Sequence, residues 1–98
     1  MSNELKKSVM LINKNLDFIK KNYNIKNIGI FGSVVKNKQT KKSDVDVLVE
    51  LQEPVGFFKF LELENYLSKI LKRKVDLTTK KSLKQAVKKE ILKDIIYV

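Results

Sequence analysis

The chain has no cysteine and no histidine among its 98 residues. The first absence excludes disulfides and thiolate-ligated zinc. The second excludes a histidine general base and every imidazole metal site. Any metal must therefore sit on carboxylates and other oxygens. Arginine is nearly missing too, Arg73 being the only one. Readers of bases and phosphates lean on arginine's rigid fork, so direct nucleic-acid binding gains little support. No apolar run approaches the roughly 20 residues of a membrane-spanning helix. The opening MSNELKKSVM lacks the apolar core of a secretory signal. The expected setting is cytoplasmic, with no membrane contact. Acids are the minority charge, 11 against 21 basic residues, for a formal charge of +10.

The composition is 43% hydrophobic and 33% charged, which fits a soluble folded protein rather than a disordered one. The length predicts one domain over residues 1–98 with one modest core. Excess positive charge favours nucleotides, nucleic acid or an acidic protein as partner. A lysine-rich composition serving solubility gives the same number.

Residues 3–23 carry one apolar stripe, Leu5, Val9, Ile12, Leu16, Ile19 and Tyr23. This spacing predicts a single amphipathic helix packed on the core. It stops at Asn22-Tyr23-Asn24, too soon for a coiled coil. Ile25–Phe31 reads as a short strand, followed by a helical turn over 33–36 and a polar loop over 37–42. Val45–Leu51 is apolar on both faces except for its acids, as in a strand inside a sheet. A loop around Pro54, the only proline, leads to a second long helix, Phe57–Leu71. Phe57, Phe60, Leu63 or Glu64, Leu67, Ile70 and Leu71 form its inner stripe. Phe58 and Tyr66 fall off the stripe's centre, on a wide packed face or at a partner surface. Val75–Leu77 is a third short strand, and 78–81 a polar turn. Ser82 with Gln85 has the form of a capping box, so a last helix is expected over Leu83–Asp94. Leu83, Val87 and Ile91 share one of its faces. Ile95–Val98 is an apolar end suited to docking on the core or on a neighbour. The order α-β-α-β-α-β-α predicts an α+β protein, a small sheet covered by helices.

The stretch Ile28–Glu50 organises the rest. An apolar strand ends in Gly32-Ser33, and after ten intervening residues come Asp44 and, with one residue between them, Asp46. Residues i and i+2 of a strand share a face, so the two carboxylates project together while Val45, Val47 and Val49 point away. Such a pair repels unless a cation sits between its members. An all-oxygen site suits Mg2+ or Mn2+, with water and substrate phosphates completing the shell. Gly32 lets backbone approach a phosphate. Ser33 and the amides of the following turn can bind an anion. Lys36, Lys38, Lys41 and Lys42 add positive charge nearby. Glu50 shares the aspartates' face farther along and reads as a strand-end residue rather than a third ligand. Taken singly, Gly-Ser is an ordinary turn and Asp-x-Asp a solvated edge. Their combination inside apolar strands is what points to chemistry.

Gly32-Ser33, ten residues, then Asp44-x-Asp46 resembles the signature of the DNA polymerase beta-like nucleotidyltransferases. In so short a chain the resemblance is to a minimal nucleotidyltransferase (MNT) domain, often the antitoxin partner of a HEPN protein. It implies a mixed sheet with the active site along one edge. Asp76, in Lys74-Val75-Asp76-Leu77, would be the third carboxylate. The resemblance implies transfer of a nucleoside monophosphate, AMP from ATP, to a hydroxyl, with a tyrosine of a HEPN toxin as acceptor. Asp44, Asp46 and Asp76 would be the catalytic acids and would hold Mg2+, as two ions. Gly32, Ser33 and Lys36 would bind the nucleotide phosphates. Lys36-Asn37 departs from the family's commoner arginine and glycine, replacing a bidentate fork by a point charge. The alternative is an antitoxin that neutralises its partner by contact alone. The sequence leaves the oligomeric state open.

Overall fold

The structure is a computed structural model and describes residues 2–36 and 44–98. The 37–42 loop, with Asn37, Lys38, Lys41 and Lys42, lies outside the described residues. Along the chain come α1 (Asn3–Lys14), α2 (Leu16–Tyr23), β1 (Ile25–Phe31), β2 (Val45–Leu51), α3 (Phe57–Leu71), β3 (Val75–Thr79), a 3-10 turn (Lys80–Ser82), α4 (Gln85–Asp94) and β4 (Ile96–Tyr97). The class is α+β, as expected.

The first helix is two helices. Its stripe is buried as the periodicity requires, with Leu5, Ile12, Ile19 and Tyr23 all in the core. At Asn15, however, the backbone leaves helical geometry (φ −107°, ψ 10°). The Asn15 side-chain Nδ2 donates to the Leu11 carbonyl at 2.8 Å, a local bond that competes with the helix ladder. Its side-chain oxygen accepts from the Tyr66 hydroxyl at 3.2 Å, which ties the break to α3. Asn24 then ends α2 in the left-handed region at φ 53°, a conformation asparagine tolerates.

The sheet has four strands in the order β3-β2-β1-β4. β1 pairs antiparallel with β2 and β4, while β2 and β3 run parallel, joined through α3. The sheet is therefore mixed. Val45, Val47 and Val49 face a core built with Ile28, Ile30, Leu63 and Leu67. β3 is an edge strand, and its outward amides are covered. Leu77 N–H donates to the Glu64 carboxylate at 2.9 Å, and Val75 N–H to the Ser68 hydroxyl at 3.1 Å. This resolves the choice left open on α3: Leu63 enters the core, while Glu64 holds the sheet edge.

Other expectations are corrected. Phe57 does not join the inner stripe of α3; it is the first residue of the helix and is exposed, while the buried residues of α3 begin at Leu63. β3 continues to Thr79, since its parallel pairing with β2 runs on through Thr79 opposite Val49. No capping box forms at Ser82. Its hydroxyl bonds the Thr79 carbonyl at 2.9 Å, and Lys84 occupies the N-cap of α4. α4 begins at Gln85 and has no buried residue. The apolar end docks as β4, with Tyr97 opposite Gly29 and Ile96 opposite Ile30. A Cβ at Gly29 would stand 2.7 Å from the Ile95 side chain, so glycine is what admits this tail.

Candidate active site

Parallel pairing sets Asp46 directly opposite Asp76, and Phe31 of β1 lies opposite Asp46 on the other side. Directly opposed residues share a face. Asp46 and Asp76 therefore stand side by side on the sheet face that carries Gly29 and Leu48. Asp44 immediately precedes β2, next to the end of α3's connection to β3. Asp46 and Asp76 thus stand at the same level on adjacent strands, with Asp44 two residues before Asp46 at the start of β2. The sequence spacing relates Asp44 to Asp46; only the parallel register brings in Asp76.

Gly32 completes the corner. It has φ 80°, a left-handed conformation that favours glycine. A Cβ there would collide with the Asp46 carboxylate. The Gly32 backbone and the Asp46 side chain are thus pressed together, with no room for a larger residue. The turn that follows is one helical turn, closed by Lys36 N–H to the Gly32 carbonyl at 3.1 Å. Val34 anchors it in the core. The Ser33 hydroxyl has no hydrogen-bond partner among the described residues.

The electrostatics match this crowding. The Asp46 carboxyl is pushed above the usual aspartate range, first by burial, then by repulsion from Asp76 and from Asp44. Asp44 meets a cation that the sequence did not single out. Lys74 Nζ lies 3.9 Å from its carboxylate, because Val75 pairs with Val45 and so puts Lys74 beside Asp44. Lys36 turns its ammonium toward Asp94 of α4, 3.9 Å away. Arg73 pairs with Glu4 at 2.7 Å. Glu50 is set apart from the acids. It accepts from Asn27 at 2.8 Å and lies 3.7 Å from Lys80, and these contacts hold its carboxyl below the usual range.

Among the described residues, no three acids already form a closed metal-binding cluster. The donor set still fits a hard divalent cation. Its atoms are carboxylate oxygens, two of the acids repel a third, and Mg2+ commonly binds one or two protein carboxylates and completes its shell with water and phosphates.

Residues 12–98 match the model of the nucleotidyltransferase domain. The chain belongs to the nucleotidyltransferase family. It is similar to a Methanocaldococcus jannaschii protein assigned as a protein adenylyltransferase, 46% identical over 90% of this chain and 91% of that one. A solved structure assigned as a minimal nucleotidyltransferase shares the fold, with a TM-score of 0.81 at 22% identity over 94% of this chain and 93% of that one. A second, an MNT antitoxin in complex with a tri-AMPylated HEPN toxin from Shewanella oneidensis, has a TM-score of 0.68 at 20% identity, covering 92% of this chain and 70% of that one. The nucleotidyltransferase is an enzyme, and its described residues form the sheet, its helical cover and the acid corner.

Proposed function

We propose that this nucleotidyltransferase transfers AMP from ATP to a hydroxyl of a partner protein, a tyrosine of a HEPN toxin, and so acts as its antitoxin in the cytoplasm. The single observation that carries the catalytic part is the Asp46–Asp76 pairing beside Gly32, with the Asp46 carboxyl raised by its neighbours. The acceptor rests on the adenylyltransferase assigned to a close relative and on the AMPylated HEPN toxin bound by a structural neighbour.

The reaction forms a bond from the acceptor oxygen to the α-phosphorus and breaks the bond from that phosphorus to pyrophosphate. Divalent ions held by Asp44, Asp46 and Asp76 would neutralise phosphate charge and favour ionisation of the attacking hydroxyl. The remaining work belongs to the chain. Ser33, whose hydroxyl has no partner among the described residues, bonds a phosphate oxygen, and the backbone of the Gly32 turn accepts close approach. Asp76, exposed at the sheet edge, takes the acceptor's proton. Lys36 offsets the charge of the leaving pyrophosphate once it leaves Asp94. No step requires a thiol or an imidazole, in accord with a chain that has neither.

The test is transfer of labelled AMP from ATP to a purified cognate HEPN protein in Mg2+. Wild type should label a tyrosine, and Asp44→Ala should not. Toxin neutralisation should disappear with the label. If Asp44→Ala neutralises as well as wild type at equal concentration, the protein works by contact and the enzymatic reading of its antitoxin role is wrong.

A further inference from the structure

A cleft of about 860 Å³ opens at the other end of β2 and β3 from the acids. It lies on the same strands. Asp46, Leu48 and Glu50 alternate along one face of β2, as do Asp76 and Thr78 along β3. Glu50 stands four positions along β2 from Asp46, a span of about 13 Å.

The lining is apolar with a basic margin. Phe57 and Phe60 contribute rings from the start of α3, and Phe57 is 69% exposed. Lys80 is answered by Glu50 at 3.7 Å. Lys81, on the 3-10 turn, and Lys88, on α4, also line the cleft. Neither has an ion-pair partner among the described residues. α4 itself has no buried residue, so the wall it forms is loosely covered. The site therefore offers rings for an apolar side chain and two unanswered ammonium groups for carboxylates.

We propose that this cleft docks an acidic segment of the acceptor protein, anchored by an apolar side chain, and thereby selects which hydroxyl reaches the acids. The proposal rests on the protein-acceptor reading above and adds a recognition element for that acceptor. An acidic peptide suits the cleft better than a nucleic acid strand. A phosphate backbone carries continuous negative charge and would run over Glu50, whereas a peptide can set single carboxylates against Lys81 and Lys88 and leave Glu50 to Lys80. The span from cleft to acids corresponds to about four extended residues, so the modified hydroxyl should lie about that far from the acidic anchor.

The test uses two synthetic peptides, each with one tyrosine, a spacer of about four residues, and either Phe-Glu-Glu or Phe-Lys-Lys. Fluorescence anisotropy of versions with phenylalanine for tyrosine reads docking without chemistry. Labelled AMP transfer reads KM and kcat. Wild type should bind the acidic peptide and not the basic one, and Lys81→Glu/Lys88→Glu should reverse this preference. For the acidic peptide the double variant should raise KM about tenfold with kcat unchanged. Equal binding of both peptides by wild type, or no change in the variant, overturns the proposal. So does single-stranded RNA that binds wild type and is lost in the variant while the acidic peptide does not bind. The two readings fail separately. Docking as expected with no AMP transfer to any hydroxyl sinks the transfer reading alone, and transfer without peptide preference sinks the docking proposal alone.

Discussion

At the scale of single residues, Asp46 and Gly32 carry the sharpest expectations. Burial and two neighbouring carboxylates raise the Asp46 pKa in the folded state. The native state therefore holds that proton more tightly than the unfolded chain does. Stability falls as pH rises from the ordinary aspartate value through the raised one, and the penalty is fully present above both. Asp46→Asn should thus melt at the same or a higher temperature than wild type at pH 7. The gain should vanish below about pH 4, where the unfolded aspartate is itself protonated. Thermal melts of both proteins across this range, without added metal, measure it; a variant less stable at pH 7 would make Asp46 a structural acid. The same variant should lose AMP transfer, the usual trade between stability and activity at a charged site. Gly32→Ala meets two obstacles, a left-handed backbone and the Asp46 carboxylate in the place of the new methyl. It should lose about 1–3 kcal/mol in urea unfolding, and transfer should fall with it because Asp46 must move.

At the scale of elements, α3 acts on the site through β3. Glu64 and Ser68 satisfy the outward amides on either side of Asp76. Glu64→Ala should leave the Leu77 amide unpaired and cost about 1–3 kcal/mol. Hydrogen exchange should locate the effect at Leu77 and its neighbours, and an unchanged Leu77 rate would show that the bond contributes little. α4 stands at the opposite extreme. It has no buried residue, and Val87 is 48% exposed. Its amides should exchange well before those of α3, whose Leu63, Leu67 and Leu71 are buried. Slow exchange in α4 of the isolated protein would mean that another surface covers it.

At the scale of the whole molecule, one core joins α1, α2, α3 and the sheet, so residues 1–98 should unfold in a single transition with coincident fluorescence and circular dichroism midpoints. Two separated midpoints would contradict the one-domain reading. Much of this architecture was legible in the sequence. The bounds of β1, β2 and α3 follow from their apolar patterns, closed by glycine, a proline-containing loop or charge, and the buried stripe of α1 and α2 follows from helical spacing. Asp44, Asp46 and Gly32-Ser33 were legible as candidates because charge inside an apolar strand is unfavourable unless something offsets it. The break at Asn15 was not, because periodicity runs through it and the decision lies in a bond to Tyr66, 51 residues away. β4 was not, because two residues carry no period, and their pairing depends on Gly29 having no side chain. What the sequence determined by itself was therefore local: which segments are helix or strand, and which residue types stand ready for chemistry. What only the tertiary structure decided was the register. The parallel pairing of β2 with β3 sets Asp76 against Asp46 and Lys74 beside Asp44, and spacing along the chain cannot express it, since a strand shifted by one residue would turn every side chain to the opposite face.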